Sequence, residues 1–182
     1  MRKFLFAIAF ALPMIASAQF FQLKATGFVS TENPDKDFIV VEAEGSQQEL
    51  FDKAKTAATA MWGAAKEVLS YNEPDIIVIN GMGAGMVSFS IMGITTNFDV
   101  PYRVQLQFKD GRVRIDAPKI EKGINSLNKG DVYFGSGGQS YVFKKDGSVR
   151  REKMKEQAEE YINGLIAELI DKIKNGTSQE DW

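Results

Sequence analysis

Residues 100–116 read VPYRVQLQFKDGRVRID, and they carry the clearest structural signal in the chain. Apolar and polar residues alternate without interruption from Tyr102 to Phe108, which is typical of a strand with one buried face. The pair Asp110-Gly111 favours the tight turn of a β-hairpin, and residues 112–116 return with the same alternation. This segment therefore predicts an antiparallel meander with an apolar face and a polar face.

Shorter strand patterns precede the meander. Residues 37–45, DFIVVEAEG, are rich in β-branched residues and close on a glycine. Residues 68–71 and 76–79 flank the turn signal NEPD, and residues 87–91 again alternate apolar with polar. Together with the meander, these patterns predict a first strand, then a helix, then four or five more strands.

Two helices are predicted, one before and one after the meander. Ser46 and Glu49 have the spacing of a capping box, in which each side chain bonds a free backbone amide at the start of a helix. The second helix is predicted from Arg151 to Lys174 and is stopped by Asn175-Gly176. The apolar faces follow helical spacing. They comprise Leu50, Phe51, Ala54, Ala57, Ala58, Met61, Trp62 and Ala65 in the first helix, and Met154, Ala158, Tyr161, Ile162, Leu165, Leu169, Ile170 and Ile173 in the second.

A glycine-rich stretch, INGMGAGMVSFS at residues 79–90, raises the question of a phosphate-binding loop. Such a loop requires a following helix, whereas a strand pattern follows here, and Met86 stands where the third glycine of the motif belongs. We therefore expect a strand-to-strand bend, in which glycine permits unusual backbone angles. The nearby Met82, Met86 and Met92 either fill the core or line an adaptable apolar surface.

The remaining segments complete the predicted organisation around one domain at 37–174. Residues 19–36 read as a lead-in that ends in a turn. Residues 121–149 are rich in Gly, Ser, Asn and Lys and predict a long loop insertion, either a functional lid or a disordered connection, with a small hairpin near Asp146-Gly147. Residues 175–182 are expected to form a frayed tail.

The first 18 residues have the pattern of a secretory signal peptide. Arg2 and Lys3 precede an apolar run, and Ala16-Ser17-Ala18 supplies the small residues of a cleavage site before Gln19. We expect an exported protein, periplasmic or secreted. No later stretch has the roughly 20 apolar residues of a transmembrane helix.

Composition excludes several classes of function. The chain has 22 basic and 24 acidic residues, and removal of Arg2 and Lys3 with the signal peptide leaves a net charge of −4. We therefore expect no nucleic-acid partner, since no basic excess is available to neutralise phosphates. Cysteine and histidine are absent, which rules out disulfides, a Ser-His-Asp triad and histidine-containing metal sites.

Three segments resemble a bacterial family of exported proteins known as a domain of unknown function with a TATA-binding-protein-like (TBP-like) fold. They are DKDFIVVEAEGSQQELFDKAKTAATAMW at 35–62, VLSYNEPDIIVINGMG at 68–83, and the segment 100–116. The resemblance implies an α+β helix-grip architecture, with a curved antiparallel sheet of four to six strands and two helices, the long C-terminal one gripped by the sheet. It implies no activity, and DNA binding does not carry over because the basic surface is missing.

The first functional hypothesis is a groove between the sheet and the C-terminal helix that binds a small apolar or amphipathic molecule. Its expected lining is Met86, Phe89, Tyr102, Leu106, Phe108 and Tyr161. The alternative for each of these residues is that it fills a solid core.

The second hypothesis is a protein–protein interaction module of the cell envelope. It would use the polar sheet face or the loop at 121–149, with Arg103, Arg112 and Arg114 meeting an anionic partner. Asp110 and Asp116 lie among these arginines, so a solvated and self-paired strand face is the alternative.

An enzyme is the third and least favoured hypothesis. Glu42 and Glu44 lie two residues apart and could act as paired carboxylates, but nothing else converges on them. We therefore predict no catalytic residues, no cofactor and no metal site. The match of Asn175-Gly176-Thr177 to a glycosylation sequon is treated as accidental in a bacterial protein.

Overall fold

The fold is described from a computed structural model that covers residues 19–63, 68–125 and 130–176. The predicted signal peptide, Ala65 of the first helix and residues 177–182 of the tail lie outside these ranges. The described residues form eleven strands and two helices: β1 Phe21–Lys24, β2 Gly27–Ser30, β3 Phe38–Glu42, α1 Gln47–Trp62, β4 Leu69–Asn72, β5 Ile76–Ile91, β6 Ile94–Lys109, β7 Arg112–Asp116, β8 Lys119–Ile120, β9 Lys122–Gly123, β10 Val132–Gly137, β11 Tyr141–Lys144 and α2 Glu152–Asn175.

The main sheet has six strands, and it confirms the predicted α+β class. Its order is β3-β7-β6-β5-β4, and β8 pairs with β6 at Tyr102 and Arg103. All of these pairings are antiparallel. The hairpin at Asp110-Gly111 pairs β6 with β7 as expected. Both helices pack on one side of this sheet, where β6 buries every second residue from Phe98 to Phe108.

The start of α1 confirms the predicted capping box. The Ser46 hydroxyl accepts a hydrogen bond from the Glu49 amide, and a Glu49 carboxylate oxygen accepts one from the Ser46 amide at 2.8 Å. This backbone bond lowers the pKa of Glu49. The helix buries the predicted face at Leu50, Phe51, Ala54, Ala57 and Ala58, so local capping and amphipathic spacing agree.

The long helix α2 buries most of the predicted stripe, with two unexpected polar members. Met154, Ala158, Ile162, Leu169 and Ile173 are buried as expected, and Ile166 joins them. Tyr161, Leu165 and Ile170 are only partly buried. Glu159 and Asn163 are 7% and 5% exposed, although charged and amide side chains are seldom buried without partners. Of the helices in the described ranges, none combines the length and apolar composition that a membrane crossing requires.

The lead-in predicted at residues 19–36 is wrong, because this segment folds into the hairpin β1–β2 against α2. Phe21 and Leu23 are fully buried. The Asn163 side chain accepts from the Phe21 amide at 2.9 Å and donates to the Phe21 carbonyl at 2.8 Å, while Glu159 accepts from the Leu23 amide at 2.6 Å. Helix side chains thus satisfy the backbone of β1 as a neighbouring strand would, which explains the two buried polar residues.

The loop insertion predicted at 121–149 is also corrected by the structure. Strand β10 pairs antiparallel with β9 and parallel with β11, and its residues Val132 and Phe134 enter the core with Val142 and Phe143 of β11. A turn at Asp146-Gly147 does form, with an antiparallel bridge between Phe143 and Val149. Strands of two to six residues in a glycine-rich context leave too little alternation to be recognised.

We predict that Asn163→Leu lowers the free energy of unfolding by about 3 kcal/mol, because it leaves the amides of Phe20 and Phe21 without their acceptor. Urea denaturation of the full chain measures this. Asn175→Ala on the same helix is the control, since Asn175 is exposed and its side chain bonds Asp171 on the helix surface. Equal, small losses in both variants would contradict the role assigned to Asn163.

Candidate functional site

The side of the main sheet that faces the helices is filled with side chains. Met86, Leu106 and Phe108 are 5%, 1% and 2% exposed, and Phe89 and Tyr161 are partly buried against the same core. These are five of the six residues predicted to line a ligand groove. Their binding role stays a prediction, and their burial favours the other interpretation left open by the sequence, namely core filling.

Tyr102, the sixth residue of the predicted groove, connects the sheet to both helices. It is 4% exposed, its hydroxyl accepts a hydrogen bond from the Trp62 indole at 2.7 Å, and its ring centroid lies 6.1 Å from that of Tyr161. Burial raises the pKa of Tyr102 to about 12, although the Trp62 donor acts in the opposite direction. The phenol is therefore neutral except in strong alkali. This favours a structural role, as the acceptor of the Trp62 hydrogen bond, over a role in proton transfer.

The glycine-rich stretch makes room for these aromatic rings. Gly81 lies opposite Tyr102 in the β5–β6 register, and a methyl group at Gly81 would come closer than 3.0 Å to three atoms of the Tyr102 side chain. A methyl group at Gly83 would meet Met86 and lie 3.2 Å from the Tyr161 ring. Gly81 and Gly83 thus face the core at positions where the aromatic rings leave no room for a side chain.

The strand-to-strand bend predicted at these glycines is corrected to a bulge within one long strand. Strand β5 continues through the stretch, and its register against β6 shifts between Gly83 and Val87. Gly85 has a φ of +59°, and its amide donates to the Asp99 carboxylate at 2.7 Å. Glycine adopts this left-handed conformation without the penalty that other residues incur.

The opposite side of the main sheet carries a different set of residues, which we call the polar face. Strand register places these residues side by side, because residues paired across neighbouring strands project to the same side. The polar face comprises Phe38, Val40 and Glu42 of β3; Ile76, Val78, Asn80 and Met82 of β5; Arg103, Gln105, Gln107 and Lys109 of β6; Arg112, Arg114 and Asp116 of β7; and Lys119 of β8.

Asp116 organises the centre of the polar face. Its carboxylate accepts hydrogen bonds from the side chains of Gln105 at 2.9 Å, Gln107 at 3.3 Å and Arg114 at 2.6 Å. The Arg114 guanidinium also lies 4.0 Å from the ring centroid of Phe38. Stacking and pairing together fix the orientation of this arginine.

Two clefts lie on the polar face, one beside the middle of β6 and one at its C-terminal end. Cleft A has a volume of about 660 Å³ and cleft B about 470 Å³. Both lie within the size range of ligand sites. Cleft A is lined by Asn80, Gly81, Pro101, Tyr102, Arg103, Gln105, Asp116, Ala117, Lys119, Glu121 and Lys122, and cleft B by Val40, Gln47, Asp75, Ile76, Gln107, Phe108, Lys109, Arg112 and Arg114.

The clefts concentrate positive charge on an acidic chain. Six basic residues line them, against three acidic ones, so their lining carries +3 while the remaining residues of the chain sum to −5. Arg114 pairs with Asp116 and Lys122 with Asp131. In the part of the chain that the structure describes, the other four cations, Arg103, Lys109, Arg112 and Lys119, form no ion pair. The prediction that a basic surface is missing, which was based on net charge, is therefore wrong for the polar face.

All three arginines predicted to contact a partner lie on the polar face. Arg114 confirms the alternative of a self-paired face. Arg103 and Arg112 form no ion pair with any residue that the structure describes, and Asp110 accepts from the Gln47 backbone amide instead. Sequence reasoning missed Gln105 and Gln107, although the alternation along β6 places both on the same side as Arg103. It also missed Lys119 and Lys122, which follow an irregular turn that gives no such signal.

The remaining acidic candidates lie outside clefts A and B. Glu42 and Glu44 line a separate cleft with Lys174. Among the described residues, no group of three acidic side chains is placed to hold a metal ion.

We predict that Gly81→Ala lowers the free energy of unfolding by about 2–3 kcal/mol, because the added methyl group displaces Tyr102. Thermal and urea denaturation measure the change. Gly164→Ala in α2 is the matched control, since its methyl group meets open space, and it should raise stability by about 1 kcal/mol. A Gly81→Ala variant as stable as the parent would contradict the close packing described here.

Comparison with known proteins finds similarity at the level of structure alone. No protein-family model and no curated protein matches the sequence. The structure is similar to a crystal structure of a TBP-like protein from Parabacteroides distasonis, with a TM-score of 0.55 and 16% identity over 77% of this chain and 92% of that one. It is also similar to a DUF4468 family protein from Bacteroides ovatus, with a TM-score of 0.53 and 11% identity over 80% of this chain and 88% of that one. This likeness confirms the predicted fold: the chain has the TBP-like fold of the Parabacteroides distasonis protein.

Proposed function

We propose that this chain is a non-catalytic binding protein that holds an anionic partner on its polar face. The observation that supports the proposal most strongly is the cationic lining of clefts A and B on an otherwise acidic chain. Locally concentrated charge attracts an oppositely charged partner and sets its orientation.

The state of the unpaired cations supports binding at this face. Arg103 and Arg112 are exposed, and neither forms an ion pair among the described residues. Their charges are therefore available without breaking an existing interaction. The strands beneath them are hydrogen-bonded across β5, β6 and β7, so the two arginines are held on a rigid support.

The groove hypothesis has less support than the polar face. Its six residues are occupied with core contacts, and a ligand there would have to displace side chains such as Leu106 and Phe108. Removing a large side chain from a packed core costs several kcal/mol. We therefore rank a small apolar ligand second.

Two further parts of the proposal rest on the sequence. A non-catalytic role is favoured because histidine and cysteine are absent from the whole chain, and because Lys174 is the one other titratable residue among the described residues that line the cleft of Glu42 and Glu44. Export to the periplasm or beyond is favoured by the signal-peptide pattern at residues 1–18. The partner is then expected outside the cytoplasm.

Photo-crosslinking in the cells that make the protein tests the proposal. The photoreactive residue p-benzoylphenylalanine replaces Met82 or Val40, which are 53% and 49% exposed on the polar face. The control replaces Lys153, which is exposed on α2 on the helix side of the sheet. We expect adducts from both polar-face positions, none from position 153, and their loss when Arg103→Gln and Arg112→Gln are added.

The proposal fails if neither polar-face position gives an adduct. It also fails if position 153 gives the same adducts, since the crosslinks would then report general proximity. Circular dichroism of each purified variant establishes that it is folded before the comparison is made.

A further inference from the structure

We infer that the anionic partner is an extended polypeptide segment with acidic residues at two places about 20 Å apart, an inference that rests on the proposed use of the polar face. The spacing follows from strand geometry. Arg103 and Lys109 are six residues apart on β6, and an antiparallel strand rises about 3.4 Å per residue. Cleft A lies at the first of these residues and cleft B at the second.

The distance between the clefts exceeds the length of a small ion but suits an extended chain. About six residues of extended polypeptide cover 20 Å. Such a segment could place one acidic group near Arg103 and Lys119, and another near Lys109 and Arg112. One partner would then engage all four unpaired cations.

The centre of the polar face disfavours a partner that is charged throughout. The Asp116 carboxylate lines cleft A beside Gln105 and already accepts hydrogen bonds from Gln105, Gln107 and Arg114. A strand of duplex DNA carries a phosphate about every 3.4 Å along the axis, so a strand that spans both clefts would bring a phosphate close to this carboxylate. A polypeptide can instead carry uncharged residues there and acidic residues only at its ends.

The uncharged groups of the polar face also suit a polypeptide. The side-chain amides of Gln105 and Gln107 direct their NH₂ groups to Asp116, so each retains a carbonyl oxygen that can accept from a peptide N–H. A phosphodiester backbone offers no such donor. Val40 beside cleft B and Met82 beside cleft A are exposed apolar side chains that could contact apolar neighbours of the acidic residues.

Fluorescence anisotropy with three labelled probes tests this inference on the full chain. The first probe is an eight-residue peptide with two acidic residues at each end of four uncharged ones. The second has the same composition with all four acidic residues in the middle, and the third is an eight-nucleotide oligothymidine. We expect the first probe to bind about tenfold more tightly than either of the others in 50 mM salt.

The arginine variants sharpen the test. Arg103→Gln and Arg112→Gln should each weaken binding of the first probe about fivefold, and 200 mM salt should weaken it further. Lys153→Gln removes one positive charge elsewhere and is expected to leave binding unchanged. An equal loss in Lys153→Gln would show that net charge alone drives binding, and it would overturn the inference.

Three other outcomes would also overturn it. Equal binding of the two peptides would exclude the two-ended arrangement, and tighter binding of oligothymidine would indicate a uniformly charged partner. Binding of neither peptide below about 1 mM in 50 mM salt would exclude an acidic polypeptide. Each outcome leaves the crosslinking result from Met82 and Val40 to decide the proposed function by itself.

Discussion

Tyr102 of β6 contacts three other elements of the fold, β5, α1 and α2, through one side chain. Its ring lies against Gly81 of β5, its hydroxyl accepts from Trp62 of α1, and its ring is adjacent to Tyr161 of α2. The arrangement requires glycine at position 81, because any side chain there would occupy the place of the ring. The aromatic rings fill the space between sheet and helices. The polar face on the opposite side of the sheet is therefore the surface that can bind a partner.

A second constraint explains how the N-terminal hairpin joins the domain. Buried polar groups are tolerated when their hydrogen bonds are satisfied, and Glu159 and Asn163 meet this condition with the backbone of β1. Lys155 completes the arrangement by pairing with Glu159 at 3.0 Å. The helix thereby serves both as core and as hydrogen-bonding neighbour of a strand, so the folded domain includes residues that precede position 37.

Local signals predicted the parts of the fold in which neighbouring residues determine the structure. The capping box at Ser46 and the turn at Asp110-Gly111 depend on residues a few positions apart, and both are present. The hairpin β1–β2 could not be predicted in the same way, because its backbone partners are side chains more than 130 residues away. The same distinction applies to the polar face. The alternation of β6 places Arg103, whereas the contribution of Lys119 depends on how β8 returns to pair with β6.

Net charge was a poor guide to the surface. The small acidic excess of the chain predicts that a basic surface is absent, yet the sheet places cations together on one side. Folding separates charges that composition averages, so a binding surface can differ in sign from the molecule that carries it.

Binding at the polar face goes together with a solid interior, which leaves no room for an apolar ligand between sheet and helices. Native mass spectrometry of the chain, purified gently from its own host, examines this directly. We expect that no apolar small molecule is retained. A lipid-sized mass that leaves only on denaturation, and that is still present in the Arg103→Gln/Arg112→Gln double variant, would place a ligand between sheet and helices and contradict it.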